Sequence, residues 1–234
     1  VRWILEQFEF PFEVVYPPTL DQGNLKQRFD ALIFVNDAIP ARGMTRASTP
    51  PSDLPAEYRA RVGAVTVEKT VPALKAFLEA GGRVITIGGS TSLAGHLGLP
   101  VENHLVERTP SGAVRPIPRE RFFVPASLLE VAVDTTAPAA AGLDSEAIVM
   151  FDNSPVMRLY PDAEERGITP IAWFDSARPL RSGWAWGQTY LEGGVAAAQA
   201  RVGQGMLYLF GPEVMFRAQP HGTFKLVFNG IVGR

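Results

Sequence analysis

The stretch ALKAFLEAGGRVITIGGSTSLAG, residues 73–95, decides the fold. It reads as helix, glycine stop, buried strand, glycine-rich turn and second helix. Leu74, Phe77 and Leu78 recur at helical spacing and form one apolar stripe. Gly81 suits the left-handed position that closes a helix. Arg83 to Ile87 is β-branched and apolar, the pattern of a strand covered on both faces. In an open α/β sheet, ligands gather at the carboxyl ends of such strands. Gly88, Gly89, Ser90 and Thr91 are therefore the candidate ligand-binding turn, with Ser90 or Thr91 capping the helix that runs to Leu97.

Upstream, residues up to about Phe10 read as an amphipathic helix ended by Pro11, and Phe12 to Tyr16 as a short strand closed by Pro17 and Pro18. A helical turn near Leu25 precedes a second buried strand, Asp30 to Val35. Residues 36–65 read as a loop insertion, rich in proline and carrying Arg42, Arg46, Arg59 and Arg61, which are suited to an anion or to a solvated surface. The helix that leads into the opening stretch starts at Thr66, with Pro72 in its early turns.

Downstream, residues 101–127 form a polar excursion from the sheet. Short strands follow near residues 128–134, 149–151, 156–159 and 170–174. A hairpin turns at Gly203-Gln204-Gly205, and a closing helix spans Thr223 to Val232. The expected fold is one α/β domain over residues 1–234. Its sheet is mainly parallel, flavodoxin-like and flanked by helices, with a strand-rich extension in the second half.

Composition narrows the function. The chain has 234 residues, 22 basic and 24 acidic, and no cysteine. The basic residues are dispersed, so nucleic acid is not an expected partner. The absence of cysteine excludes a disulfide, a thiolate zinc site and a cysteine nucleophile. No apolar run reaches the roughly 18 residues of a membrane span, so no membrane partner is expected. The first residues lack a signal-peptide cleavage pattern and no initiator Met is present, which suggests a piece of a longer chain.

Three segments together carry a family resemblance: Trp3-Ile4-Leu5-Glu6-Gln7-Phe8-Glu9-Phe10-Pro11-Phe12, Leu78-Glu79-Ala80-Gly81-Gly82-Arg83-Val84-Ile85, and Arg217-Ala218-Gln219-Pro220-His221-Gly222-Thr223-Phe224-Lys225-Leu226-Val227-Phe228-Asn229. The chain resembles the class I glutamine-amidotransferase-like domain at the C-terminal end of bacterial M14-type zinc carboxypeptidase-like proteins. The resemblance implies a parent exported to the periplasm or secreted, and an upstream peptidase domain as partner. It implies an accessory domain without catalysis or cofactor of its own.

That superfamily sets its nucleophile at a strand-to-helix elbow of the form Gly-x-Cys-x-Gly, where a strained turn exposes the side chain to backbone N–H groups. Gly88-Gly89-Ser90-Thr91-Ser92 matches this elbow, with Ser90 in place of cysteine. The superfamily's base lies in a His-Pro-Glu turn after a late strand; this chain has Gly211-Pro212-Glu213. A serine hydrolase would need Ser90 paired with His221 or His96. The alternative leaves Ser90 a helix cap and His221 an anchor for the last helix.

Other constellations are weaker. His104 and Glu107 mimic the His-x-x-Glu zinc pair but fall in the excursion, and no metal site is expected. Asp134, Asp152 and Asn153 lack the spacing of a calcium loop. Trp184 and Trp186, with Trp173, suit either core packing or a carbohydrate- or small-ligand-binding module. Phe122 and Phe123 read as packing residues.

Overall fold

A computed structural model describes residues 1–41 and 53–233. Twelve strands fall at β1 Ala31–Phe34, β2 Arg83–Ile87, β3 Val101–Asn103, β4 Val106–Arg108, β5 Val114–Pro116 and β6 Ser127–Val133, then β7 Glu146–Phe151, β8 Met157–Leu159, β9 Ile168–Trp173, β10 Leu180–Ser182, β11 Val195–Val202 and β12 Gly205–Phe210. The helices are α1 Arg2–Gln7, α2 Pro17–Asp21, α3 Ala56–Arg59, α4 Thr70–Glu79, α5 Leu93–His96 and α6 Phe224–Val232.

Ten strands form one sheet, with the order β1-β2-β12-β11-β9-β6 along its body. β7 pairs the flank of β6, and β10 its other side. β8 joins β11 and carries β3, while β4 and β5 form a separate ribbon. Mixed α/β architecture with a large central sheet and flanking helices is as expected. The parallel character is not: among the described residues only β1, β2 and β12 run parallel, and every other pairing is antiparallel. The reason is connectivity. A parallel step needs a crossover, usually a helix, and between α5 and α6 the chain offers only hairpins, turns and short 3-10 segments. The second half is thus most of the sheet itself rather than an extension from it.

Alternation along β12 divides the core. Leu207 and Leu209 face the layer with α4, whose Leu74, Phe77 and Leu78 are buried there. Tyr208 and Phe210 face the opposite layer with Phe224, Leu226 and Val227 of α6. At the start of α4, Thr66 accepts the Lys69 N–H (3.2 Å) and Thr70 accepts the Thr66 N–H (3.0 Å), two orphan groups satisfied reciprocally. Two local expectations fail. Residues 12–16 are extended but pair with no strand, and Pro17-Pro18 open a helix rather than close a strand. Proline's fixed φ and missing N–H cost nothing in a first helical turn.

Candidate functional site

Three parallel strands deliver their carboxyl ends to one place. β1 leads into Val35–Pro40, β2 into the turn at residues 88–92, and β12 into Gly211-Pro212-Glu213. The first two segments are stitched together. The Ser90 hydroxyl donates to the Val35 carbonyl (2.6 Å) and accepts the Ile39 N–H (3.1 Å). Ser92 donates towards the Ile39 and Pro40 carbonyls, and His96 Nε2 lies 2.8 Å from the Pro40 carbonyl. The Gly89 N–H, beside Ser90, is held by Asn36 Oδ1 at 2.7 Å.

Ser90 is 0% exposed. Its hydroxyl serves the neighbouring loop, so the expected cap of its own helix is not what the structure contains; Thr91 instead bonds the Gly88 carbonyl (2.8 Å). The strained residue of the turn is Gly88, at φ +59°, and it carries no side chain. A Cβ there would lie 2.3 Å from Asn36 Oδ1. The left-handed conformation and the close approach of Asn36 both select glycine.

At the third strand end stands Gly211, where the sequence resemblance would set a histidine. A Cβ on Gly211 would sit 2.1 Å from the Pro155 carbonyl oxygen, so no side chain fits without a backbone shift. Glu213, two residues on, is half-buried. Burial raises its pKa above the carboxylate norm, and the charges of Asp152 and Asp37 push the same way against the Val1 amino group. Asn36 and Glu213 were not singled out in the sequence. The signals were there: Asn36 directly follows a buried strand run, and Glu213 completes the Gly-Pro-Glu turn.

The other predicted residues lie apart. His221 is exposed, with Nε2 3.1 Å from the Ala218 carbonyl and its ring 5.3 Å from that of Phe224. Neither His221 nor His96 is a hydrogen-bond partner of Ser90. Glu107 is committed to Arg115 and Arg121 rather than to His104. Burial, reinforced by the Arg158 guanidinium, holds His104 below its ordinary pKa. Asp134 bonds Thr136, while Asp152 and Asn153 accept the Ala126 and Val124 N–H groups. Among the described residues no group of three or more histidine, aspartate or glutamate side chains could hold a metal ion, and no helix is long and apolar enough to cross a membrane. Arg42 and Arg46 lie outside the described residues. Arg59 bonds the Leu54 carbonyl, and Arg61 lies over the Tyr16 and Tyr58 rings.

Trp184 and Trp186 are not core residues: they are 53% and 54% exposed, with Ala185 turned inward between them. Trp186 is fixed by its Nε1 donating to the Glu120 carbonyl (2.8 Å) and by a bridge to Phe123, whose ring meets Trp184 edge-on. Two cavities of several hundred Å3 lie elsewhere. One of about 630 Å3 runs along the outer side of β1 against residues 10–17. The other, about 690 Å3, runs along β7 beside His221. Neither is lined by Gly88, Gly89, Ser90 or Thr91.

No family model and no curated protein matches the chain. Solved structures do. A putative GMP synthase component from Thermoplasma acidophilum aligns over 98% of this chain and 83% of its own, at 13% identity and a TM-score of 0.53. PurLQS from Thermotoga maritima aligns over 75% and 73%, at 13% identity and 0.42. A cold-adapted β-galactosidase from Rahnella sp. R3 aligns over 87% of this chain and 22% of its own, at 13% identity and 0.46. The chain spans about a fifth of the length of the β-galactosidases it matches. The first of these likenesses supports a glutamine-amidotransferase-like fold, and at this identity it speaks to fold alone.

Proposed function

We propose that this chain is a non-catalytic, amidotransferase-like accessory domain, in which the turn after β2 is a structural joint. The observation that carries the reading is the Ser90 hydroxyl, buried and bonded on both sides to the backbone of the loop after β1. A serine nucleophile needs a base within hydrogen-bond reach and free N–H donors beside it. Here the Gly89 donor is occupied by Asn36, and the position after β12 has no room for a histidine.

The partner in this reading is an upstream peptidase domain of an exported, M14-type carboxypeptidase-like parent. That part rests on the sequence resemblance at residues 3–12, 78–85 and 217–229. The test is hydrolysis of glutamine and of an activated ester by the purified chain beside its Ser90→Ala variant. Rates equal to buffer for both support the reading. Turnover lost in the variant, with its fold intact, favours the serine-hydrolase alternative with His221 or His96.

The exposed indoles of Trp184 and Trp186 support a second reading, a carbohydrate- or small-ligand-binding module. Retardation of the chain in gels containing soluble polysaccharide, abolished by Trp184→Ala, would favour it. Unchanged migration in every polysaccharide would count against it.

A further inference from the structure

β7 is a terminal strand of the sheet: β6 is its one paired neighbour among the described residues. The hydrogen-bond phase of that pair is fixed. Val133 N–H donates to the Ser145 carbonyl (2.8 Å), so residues 133 and 145 form a hydrogen-bonded pair. Residues facing each other in an antiparallel ladder alternate between bonded and non-bonded pairs. Ala147, Val149 and Phe151 therefore spend their backbone groups on β6. Glu146, Ile148 and Met150 turn theirs the other way. Of these outward groups, the Met150 carbonyl accepts the Glu213 N–H (2.9 Å). The rest have no backbone partner among the described residues.

This open edge forms one wall of the groove of about 690 Å3; the segment from Phe216 to Lys225 forms the other. Leu128 and Ile148 line it while 38% and 40% exposed. Natural sheets blunt exposed edges with short strands, charge, proline or bulges. β10 has all four of these features, its register with β6 shifting between Leu180 and Ser182. It is three residues long, follows Pro179 and carries Arg181, ion-paired with Glu130. β7 carries one charge, Glu146 at its start; Ala147-Ile148-Val149-Met150-Phe151 has no charge and no proline, and its register with β6 is unbroken.

We propose that this groove seats an extended peptide segment of a partner protein, added to the sheet along β7, with apolar side chains at alternate positions beside Ile148 on the face that also carries Leu128. Unpaired backbone groups at every second residue are satisfied by another strand. A helix has already spent its own, and a small apolar ligand has none to offer. The proposal is independent of the role of Ser90.

The test uses amide hydrogen exchange, followed residue by residue in the intact chain. The probe is a blocked pentapeptide alternating valine and threonine, beside its fully N-methylated counterpart. The peptide slows exchange at Ile148 at least tenfold, and the N-methylated counterpart leaves it unchanged. Ile148→Pro removes a donor that β6 does not use, so the β6–β7 ladder keeps its protection while binding is lost. Ile148→Lys, which places a charge on the edge, gives the same outcome without a backbone change. No slowing at Ile148, or equal slowing by the N-methylated peptide, overturns the proposal. So does slowing that tracks protein concentration without peptide, which would identify the occupant as a second copy of the chain.

Discussion

The Ser90 hydroxyl spends both its donor and its acceptor on the backbone of residues 35–39. Removing it leaves the Ile39 N–H buried without its partner, at a cost on the order of 1–3 kcal/mol, while the Val35 carbonyl keeps the Ala38 N–H. Ser90→Ala is therefore expected to lose about 1–3 kcal/mol of stability, read as a lower urea midpoint with an unchanged denaturant slope. A variant as stable as the parent would mean that water or local relaxation satisfies the Ile39 N–H. Glu213 makes a second residue-level prediction. Its pKa is raised in the folded chain, so between the ordinary carboxylate pKa and the raised value the folded state binds more protons than the unfolded state. Stability then falls as pH rises through that window, and the ionised group is a burden at neutral pH. Glu213→Gln should raise the thermal midpoint at pH 7, and the gain should disappear below pH about 4.3, where the carboxyl is protonated in both states. An equal gain at both pH values would remove ionisation as the cause.

At the scale of elements, α4, β2 and the β11–β12 hairpin were legible because periodicity and glycine punctuation agree there. The stripe Leu74, Phe77, Leu78 and the stop at Gly81-Gly82 were read within a residue or two. The antiparallel pairings were not legible, because the run of short strands from β6 to β9 looks the same in either direction; direction is fixed by connections, not by side chains. The joint after β2 was located correctly but misread in detail. The resemblance puts the strained, exposed position at Ser90, whereas the left-handed residue is Gly88 and Ser90 is buried. Asn36 and Ile39, more than fifty residues away in sequence, decide what Ser90 bonds. The same distance problem hid Gly211, whose lack of a side chain is enforced by the Pro155 carbonyl. Gly211→Ala should consequently destabilise the chain by several times the effect of a surface substitution, read as a fall in thermal midpoint. Gly222→Ala, in open space, serves as the control. Equal midpoints for the two variants would show that the β12 end can yield.

For the whole molecule, the sheet joins a three-strand parallel portion, β1-β2-β12, to an antiparallel majority. Under the proposed reading, the parallel portion is where amidotransferase-like chemistry would be expected. Its three strand ends hold a bonded serine, an occupied N–H and a glycine without room for a side chain. The polar groups at these strand ends hold neighbouring loops together. The most direct test is covalent: incubate the native chain with a fluorophosphonate, which captures activated serines, and locate adducts by peptide mass spectrometry. A joint role predicts no adduct on Ser90 under conditions that fully label a serine hydrolase. An adduct on Ser90 in the folded chain, lost on unfolding, would contradict it.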